Sequence, residues 1–355
     1  MSERNAWLSR YGLAVACVLA PLVLSMASDG IIDRLINRPI KGSIFLYKIG
    51  GDPPASQPSK PAPPQTAPQS AESKLKGPAS RAQLVGRYLA GNLNYAASTG
   101  FRYLVAAAGI FVGATVVGRT LGTSWLALFF AISISFASWF GWEVFEKARG
   151  ALLLAVPILT SADSTLGKDF PRATSDTGAF IAGFEGMNYA IGMLGVMMVF
   201  FAFAAASIRD PKPTKTDLDR RRVTIWIALL LTSASLVVAV LASRTLLDWS
   251  LSLVADPEAL KPFSDAIVTQ WAAIGTIALF AAFIPAFGAW LLDVERERQT
   301  DMMVVSSGDV PSGRQDSLKL SWMPMIGGLL AGLAPILTSP FVEALKSIIQ
   351  ALSRS

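Results

Sequence analysis

Four side chains have the type and placement to do chemistry at a membrane. They are Glu143 and Glu146 in WFGWEVFEKARG, and Glu185 and Asn188 in FEGMNYAIG. A carboxylate inside or at the end of an apolar segment is a functional candidate by default, because ionised groups are costly there. Glu143 and Glu146 stand beside Trp139 and Trp142, where an aromatic belt and lipid headgroups are expected, so an interfacial helix end competes with a pore role. If Glu185 and Asn188 face them, the four form an acidic outer mouth.

Other chemistry is excluded by absence. The chain has no His and one Cys, Cys17. That removes Ser-His-Asp hydrolysis, His-ligated haem and HExxH metalloproteases. It also leaves no zinc site of ordinary make-up and no intrachain disulfide. There is no GxxxxGK[ST] phosphate loop, which argues against direct ATP hydrolysis. No catalytic residue, metal or cofactor is assigned from the sequence, and an enzyme is not expected.

The elements that must position these groups are apolar. Of 355 residues, 52% are hydrophobic and 16% charged, with mean hydropathy +0.46, against roughly 25% charge in soluble domains. About 20 apolar residues cross a bilayer as helix, and seven stretches qualify or nearly do. They are Tyr11–Ile32, Tyr103–Gly118, Gly122–Trp142, Gly186–Ser207, Val223–Ser243, Ala266–Leu292 and Leu320–Pro340. The expected fold is therefore all-α, a transmembrane bundle of about seven spans. Residues 1–32 read as an uncleaved anchor or, with Arg4, Arg10 and the small residues Ser25 and Ala27, as a signal peptide. Tyr103 to Trp142 as one helix would span roughly 60 Å, about two bilayers, so a hairpin with Arg119 at its tip is expected.

Orientation follows Lys and Arg in short loops. The loop through Arg209–Arg222 holds six, Arg244–Asp265 holds two against four acids, and Asp293–Lys319 holds four. The richer pair belongs in the cytoplasm, which puts the N-terminus inside and residues 33–102 and the C-terminus outside. The ten Lys and Arg between Asp33 and Arg102 strain this, though the rule weakens for long loops. Eight prolines between Pro53 and Pro78 make this exported segment a disordered or semi-rigid spacer. A plain tether is one reading and a docking strip for a partner the other. Residues 33–100 thus divide into linker and interfacial helix, with Leu84, Tyr88, Leu89 and Leu93 on one stripe.

Residues 101–340 then form a six-helix bundle. Within it Gly109 and Gly113, Gly118 and Gly122, and Gly328 and Gly332 are spaced for close helix packing. Pro285 and Pro335 each free a helix carbonyl, as kinks or as ion ligands. Ala151–Thr160 is too short to span and either lies on the surface or re-enters. Residues 341–355 read as an amphipathic helix. No row of charges runs through the spans, which counts against a proton-coupled transporter. The leading expectation is a non-enzymatic inner-membrane subunit or scaffold of a bacterial envelope or export assembly, with lipid and protein partners and no nucleic acid. The alternative is a channel or small-solute transporter.

Overall fold

The computed structural model describes residues 11–21, 23, 78–149, 155, 158–159, 177–208, 214–254 and 257–306. Its helices are α1 (Tyr11–Pro21), α2 (Pro78–Leu121), α3 (Thr123–Arg149), α4 (Thr177–Ser207), α5 (Lys215–Leu251) and α6 (Pro257–Ser306). Five of these, α2 to α6, contain stretches long and apolar enough to cross a membrane. The described residues are almost entirely helical, and the chain is a multi-pass membrane protein by this measure. The rest of the first expected span, the seventh span with Gly328, Gly332 and Pro335, the Pro-rich run and the C-terminal amphipathic helix lie outside the described residues.

Local sequence sets the helix ends. Between α2 and α3 only Gly122 is non-helical, with φ at +92°, a conformation that costs an L side chain energy and Gly little. Gly122 therefore serves the turn rather than a helix contact, and nothing lies within 4 Å of where its Cβ would stand. At α5, Thr214 caps the N-terminus by accepting from the Asp217 N–H at 3.2 Å, while its hydroxyl donates to Asp217 Oδ2 at 2.5 Å. α6 runs through Pro262 and Pro285 without a break in its helical assignment.

Contacts along the helices give their directions. Ala106 meets Gly195 and Gly113 meets Met198, so α2 and α4 run parallel. Gly141 meets Gly186 and Phe129 stacks on Phe201, so α3 runs against α4 and hence against α2. The hairpin expected at Arg119 is present, with Gly122 at the bend. Tyr189 bonds Ser243 and Arg221 reaches Ala206, which sets α5 against α4. Trp290 bonds the Leu218 carbonyl and Gly275 meets Leu236, which sets α6 against α5. Arg119, Ser207, Arg221 and Asp293 thus share one end of the bundle, and Glu143, Glu185 and Trp249 share the other.

α4 is the central helix. Of its most apolar window 67% is buried, against 22% in α2 and in α3, and every residue from Met197 to Ser207 is buried. A helix apolar on all sides requires apolar surroundings on all sides, and α2, α3, α5 and α6 provide them. α2 buries a narrow seam instead: Tyr95, Thr99, Arg102, Ala106, Gly109, Gly113 and Val117 are buried, while Phe101, Leu104 and Phe111 stand exposed. Steps of four and three residues keep such a seam on one face. Glycines in it let backbones meet: a Cβ on Gly113 would lie 2.4 Å from the Met198 carbonyl oxygen.

One expectation needs revision. The interfacial helix read at residues 80–98 and the second span are parts of one 44-residue helix. At 1.5 Å per residue it is about 66 Å long, twice the hydrocarbon core. Its first half projects past the hairpin partner and packs on the end of α5. Two apolar clusters result. The larger follows α4 through the bundle, and the smaller gathers Tyr95, Leu246, Leu247, Trp249 and Val268 with Ala155, Ile158 and Leu159.

Candidate functional site

A polar layer lies where the two clusters meet, built from α2, α4 and α5. Glu185 and Asn188 sit on successive turns of α4 and point the same way. Both are buried, Glu185 at 1% and Asn188 at 0% exposure. Asn188 is satisfied from α2: its amide donates to the Tyr95 hydroxyl at 2.9 Å, and its carbonyl oxygen accepts from the Tyr103 hydroxyl. Alongside, the Tyr189 and Ser243 hydroxyls are 2.8 Å apart, and so are those of Ser98 and Thr245.

Arg102 stands in this layer at 4% exposure. Its guanidinium carbon lies 4.7 Å from the centre of the Tyr189 ring, a cation–π contact. Its Nε and Nη1 have no hydrogen-bond partner, and neither does Glu185 Oε1 or Thr99 Oγ1. Most buried polar atoms in folded proteins are paired, so four unpaired ones in a single layer are unusual. Gly192 lies opposite this side chain, and a Cβ there would make ordinary van der Waals contact with Arg102 Cδ at 3.5 Å.

Arg102 also forms the lip of a cavity of about 150 Å³ that continues into the bundle. Its walls are mostly apolar, with Phe136 and Phe140 from α3, Met193 and Phe200 from α4, Leu236 from α5 and Trp271 from α6. Pro21 of α1 closes part of it. No group of three or more potential metal-ligating side chains occurs among the described residues. The arrangement suits holding a small molecule, with one cationic group at one end of an apolar hollow.

The four acidic-mouth candidates divide. Glu185 and Asn188 come together and are enclosed by helices rather than lining an open mouth. Glu143 lies on α3 two residues past the Gly141–Gly186 crossing and is partly exposed, beside Trp142 at 61% exposure. Glu146 falls in α3, with its side chain outside the described set. Of the packing glycines, Gly109 lies against Gly195 and Val199, Gly113 against Met198, and Gly118 against Leu126. Pro285 stands in α6.

Arg102, Tyr95, Tyr103, Tyr189 and Ser243 were not singled out by sequence. Arg102 was counted in the exported loop, and the spans were read as holding no charge. A signal was available in the seam spacing of α2: continued N-terminally from Gly109 through Ala106, it reaches Arg102, Thr99 and Tyr95. No protein-family model matches the chain, no curated protein matches its sequence and no solved structure matches its fold.

Proposed function

We propose that this multi-pass membrane protein takes a small solute into its bundle, as a channel or small-solute transporter does, and that it is not an enzyme. The observation that supports this is the buried Arg102 at the lip of the apolar cavity. The scaffold reading rests on the exported spacer, the glycine contacts, the lack of catalytic groups and spans empty of charge, and Arg102 and Glu185 weaken the last of these grounds. A buried charge costs several kcal/mol when unpaired, and ionisable groups inside a bundle commonly serve passage or binding.

The test is flux through the purified chain in liposomes. Uptake of small organic anions above protein-free controls, altered by Arg102→Gln or Glu185→Gln, supports the reading. Absence of flux for anions, cations and neutral solutes alike removes it.

A second reading has its own support. α2 and α6, at 44 and 50 residues, are about 66 and 75 Å long and must extend beyond a bilayer of about 30 Å. Such projections offer surface to soluble partners. On this reading the chain is an integral subunit of an envelope or export assembly in a bacterial inner membrane, oriented with its Arg221 end in the cytoplasm. A stoichiometric partner lost on deleting residues 51–78 would favour it.

A further inference from the structure

We propose that the cavity beneath Arg102 binds a small carboxylate with a compact apolar body, the carboxylate on the guanidinium and the body among Phe136, Phe140 and Phe200. The inference rests on the reading of the chain as a solute-handling protein and names the class of solute.

The charge comes first. Arg102 is buried to 96% by its 4% exposure, forms no ion pair among the described residues and has two nitrogens without partners. Tyr189 lies face-on to it, which attracts the cation without neutralising it. Glu185, the buried acid of the same layer, has an unpartnered oxygen of its own instead of a bond to Arg102. An anion entering the cavity supplies what is missing, and guanidinium favours a planar carboxylate over a spherical ion.

The walls then select the rest of the molecule. A cavity near 150 Å³ is about the size that accepts a benzene ring in an engineered protein core, so one ring or a short branched chain fills it. Of the polar lining groups, Ser235 and Ser243 donate to the carbonyls of Leu231 and Ala239, each at 2.9 Å. Their protons are committed, and Arg102 is the one cation lining the cavity among the described residues. A second carboxylate would have no cation there, which excludes dicarboxylates. Inorganic ions leave the apolar walls unfilled. A two-chain phospholipid is far larger than the hollow.

The experiment measures binding of radiolabelled benzoate to the full chain in nanodiscs of zwitterionic lipid. Expected are saturable binding, a loss of about tenfold or more in Arg102→Gln, partial recovery in Arg102→Lys, and no competition by equal chloride, phosphate or succinate. Ala239→Phe, which fills the cavity with Arg102 intact, should also abolish binding and serves if Arg102→Gln does not fold. No saturable binding up to about 10 mM, far weaker than a built site gives, overturns the proposal. So does unchanged binding in a folded Arg102→Gln or Ala239→Phe. Competition by chloride or phosphate overturns it in favour of an inorganic-anion site. Loss of binding in nanodiscs containing phosphatidylglycerol overturns it in favour of a lipid headgroup. Binding without flux in liposomes keeps this site and removes the transport reading, whereas flux insensitive to Arg102 does the reverse.

Discussion

Two arginines at opposite ends of the bundle, Arg102 buried and Arg221 partly buried, are treated in opposite ways. Arg221 on α5 donates through Nη1 to Asp293 Oδ2 at 2.7 Å and through Nε to the Ala206 carbonyl at 2.7 Å. Asp293 is fully buried, so this side chain joins α4, α5 and α6 and closes one of the open carbonyls at the end of α4. Arg102 touches the same central helix but has no carboxylate partner among the described residues, and its Nε and Nη1 are unbonded there. Arg221 has only Nη2 in that condition. A guanidinium that is paired across three helices fastens the fold. One held unpaired beside a cavity is available to something else.

The largest expected effect tests that difference directly. Asp293→Ala leaves the partly buried Arg221 charge, 14% exposed, without this carboxylate, and breaking such a pair costs about 3 kcal/mol, the low end of the range for fully buried pairs. Arg102→Leu removes a charge that is already unpaired and replaces it with an apolar side chain, so stability should hold or rise. Thermal unfolding in detergent, followed by circular dichroism, reads both. Equal destabilisation by the two substitutions would mean that Arg102 is a structural residue after all.

Why both arginines fall outside the spans when the sequence alone is read is a matter of where helices stop. Charge-counting cuts a span at its first Arg or Lys, so Arg220, Arg221, Arg222 and Asp293 were all assigned to loops. In the structure α5 begins at Lys215 and α6 continues to Ser306, placing Arg221 and Asp293 on facing helical turns. The same cut placed Arg102 in the exported segment although α2 starts at Pro78. The apolar runs, the hairpin and the alternation of ends were legible because they depend on composition over many residues. The site was not, because Arg102, Tyr189 and Ser243 meet only through helix contacts 54 to 141 residues apart in sequence, which periodicity within one helix does not encode.

Next in size is the contact that holds Arg102 in register with α4. In Gly195→Ala the new methyl would stand 2.7 Å from Ala106 Cα, and in Gly113→Ala 2.4 Å from the Met198 oxygen. Backbone cannot swing aside as a flexible side chain can, so the helices must part, at a cost of about 1–3 kcal/mol. Gly195 adjoins the cavity-lining Val196 and meets Ala106, one turn from Arg102, so its substitution should also weaken benzoate binding, while Gly113→Ala should lower only the unfolding temperature. If both variants bind benzoate like the parent chain, the α2–α4 seam does not position the guanidinium.

A smaller loss is expected in Asn188→Leu, which strips the Tyr95 and Tyr103 hydroxyls of their shared partner. Each such bond contributes about 1 kcal/mol net, and Tyr103 is partly exposed and recovers some of that from solvent or headgroups. The sum is about 1–2 kcal/mol. Because Arg102 bonds neither group, Asn188→Leu should leave its cation–π contact and anion binding near the parent level. A variant that folds but no longer binds would show that the hydrogen-bonded half of the layer orients the unpaired half.

The smallest effect has the opposite sign and comes from the same helix. Gly100 is exposed, lies between the buried Thr99 and Arg102 in sequence, and has nothing within 4 Å of its Cβ position. Alanine there meets no neighbour and restricts the unfolded chain more than glycine does, so Gly100→Ala should stabilise by about 0.5–1 kcal/mol. Gly113→Ala, thirteen residues on along the same helix, should destabilise by more than that. The pair separates propensity from packing, since the chemical change is identical and only the face differs. If Gly100→Ala lowers the unfolding temperature, the outward face of α2 is covered in the folded protein, and the unpaired Arg102 two residues away would then have a neighbour to account for its charge.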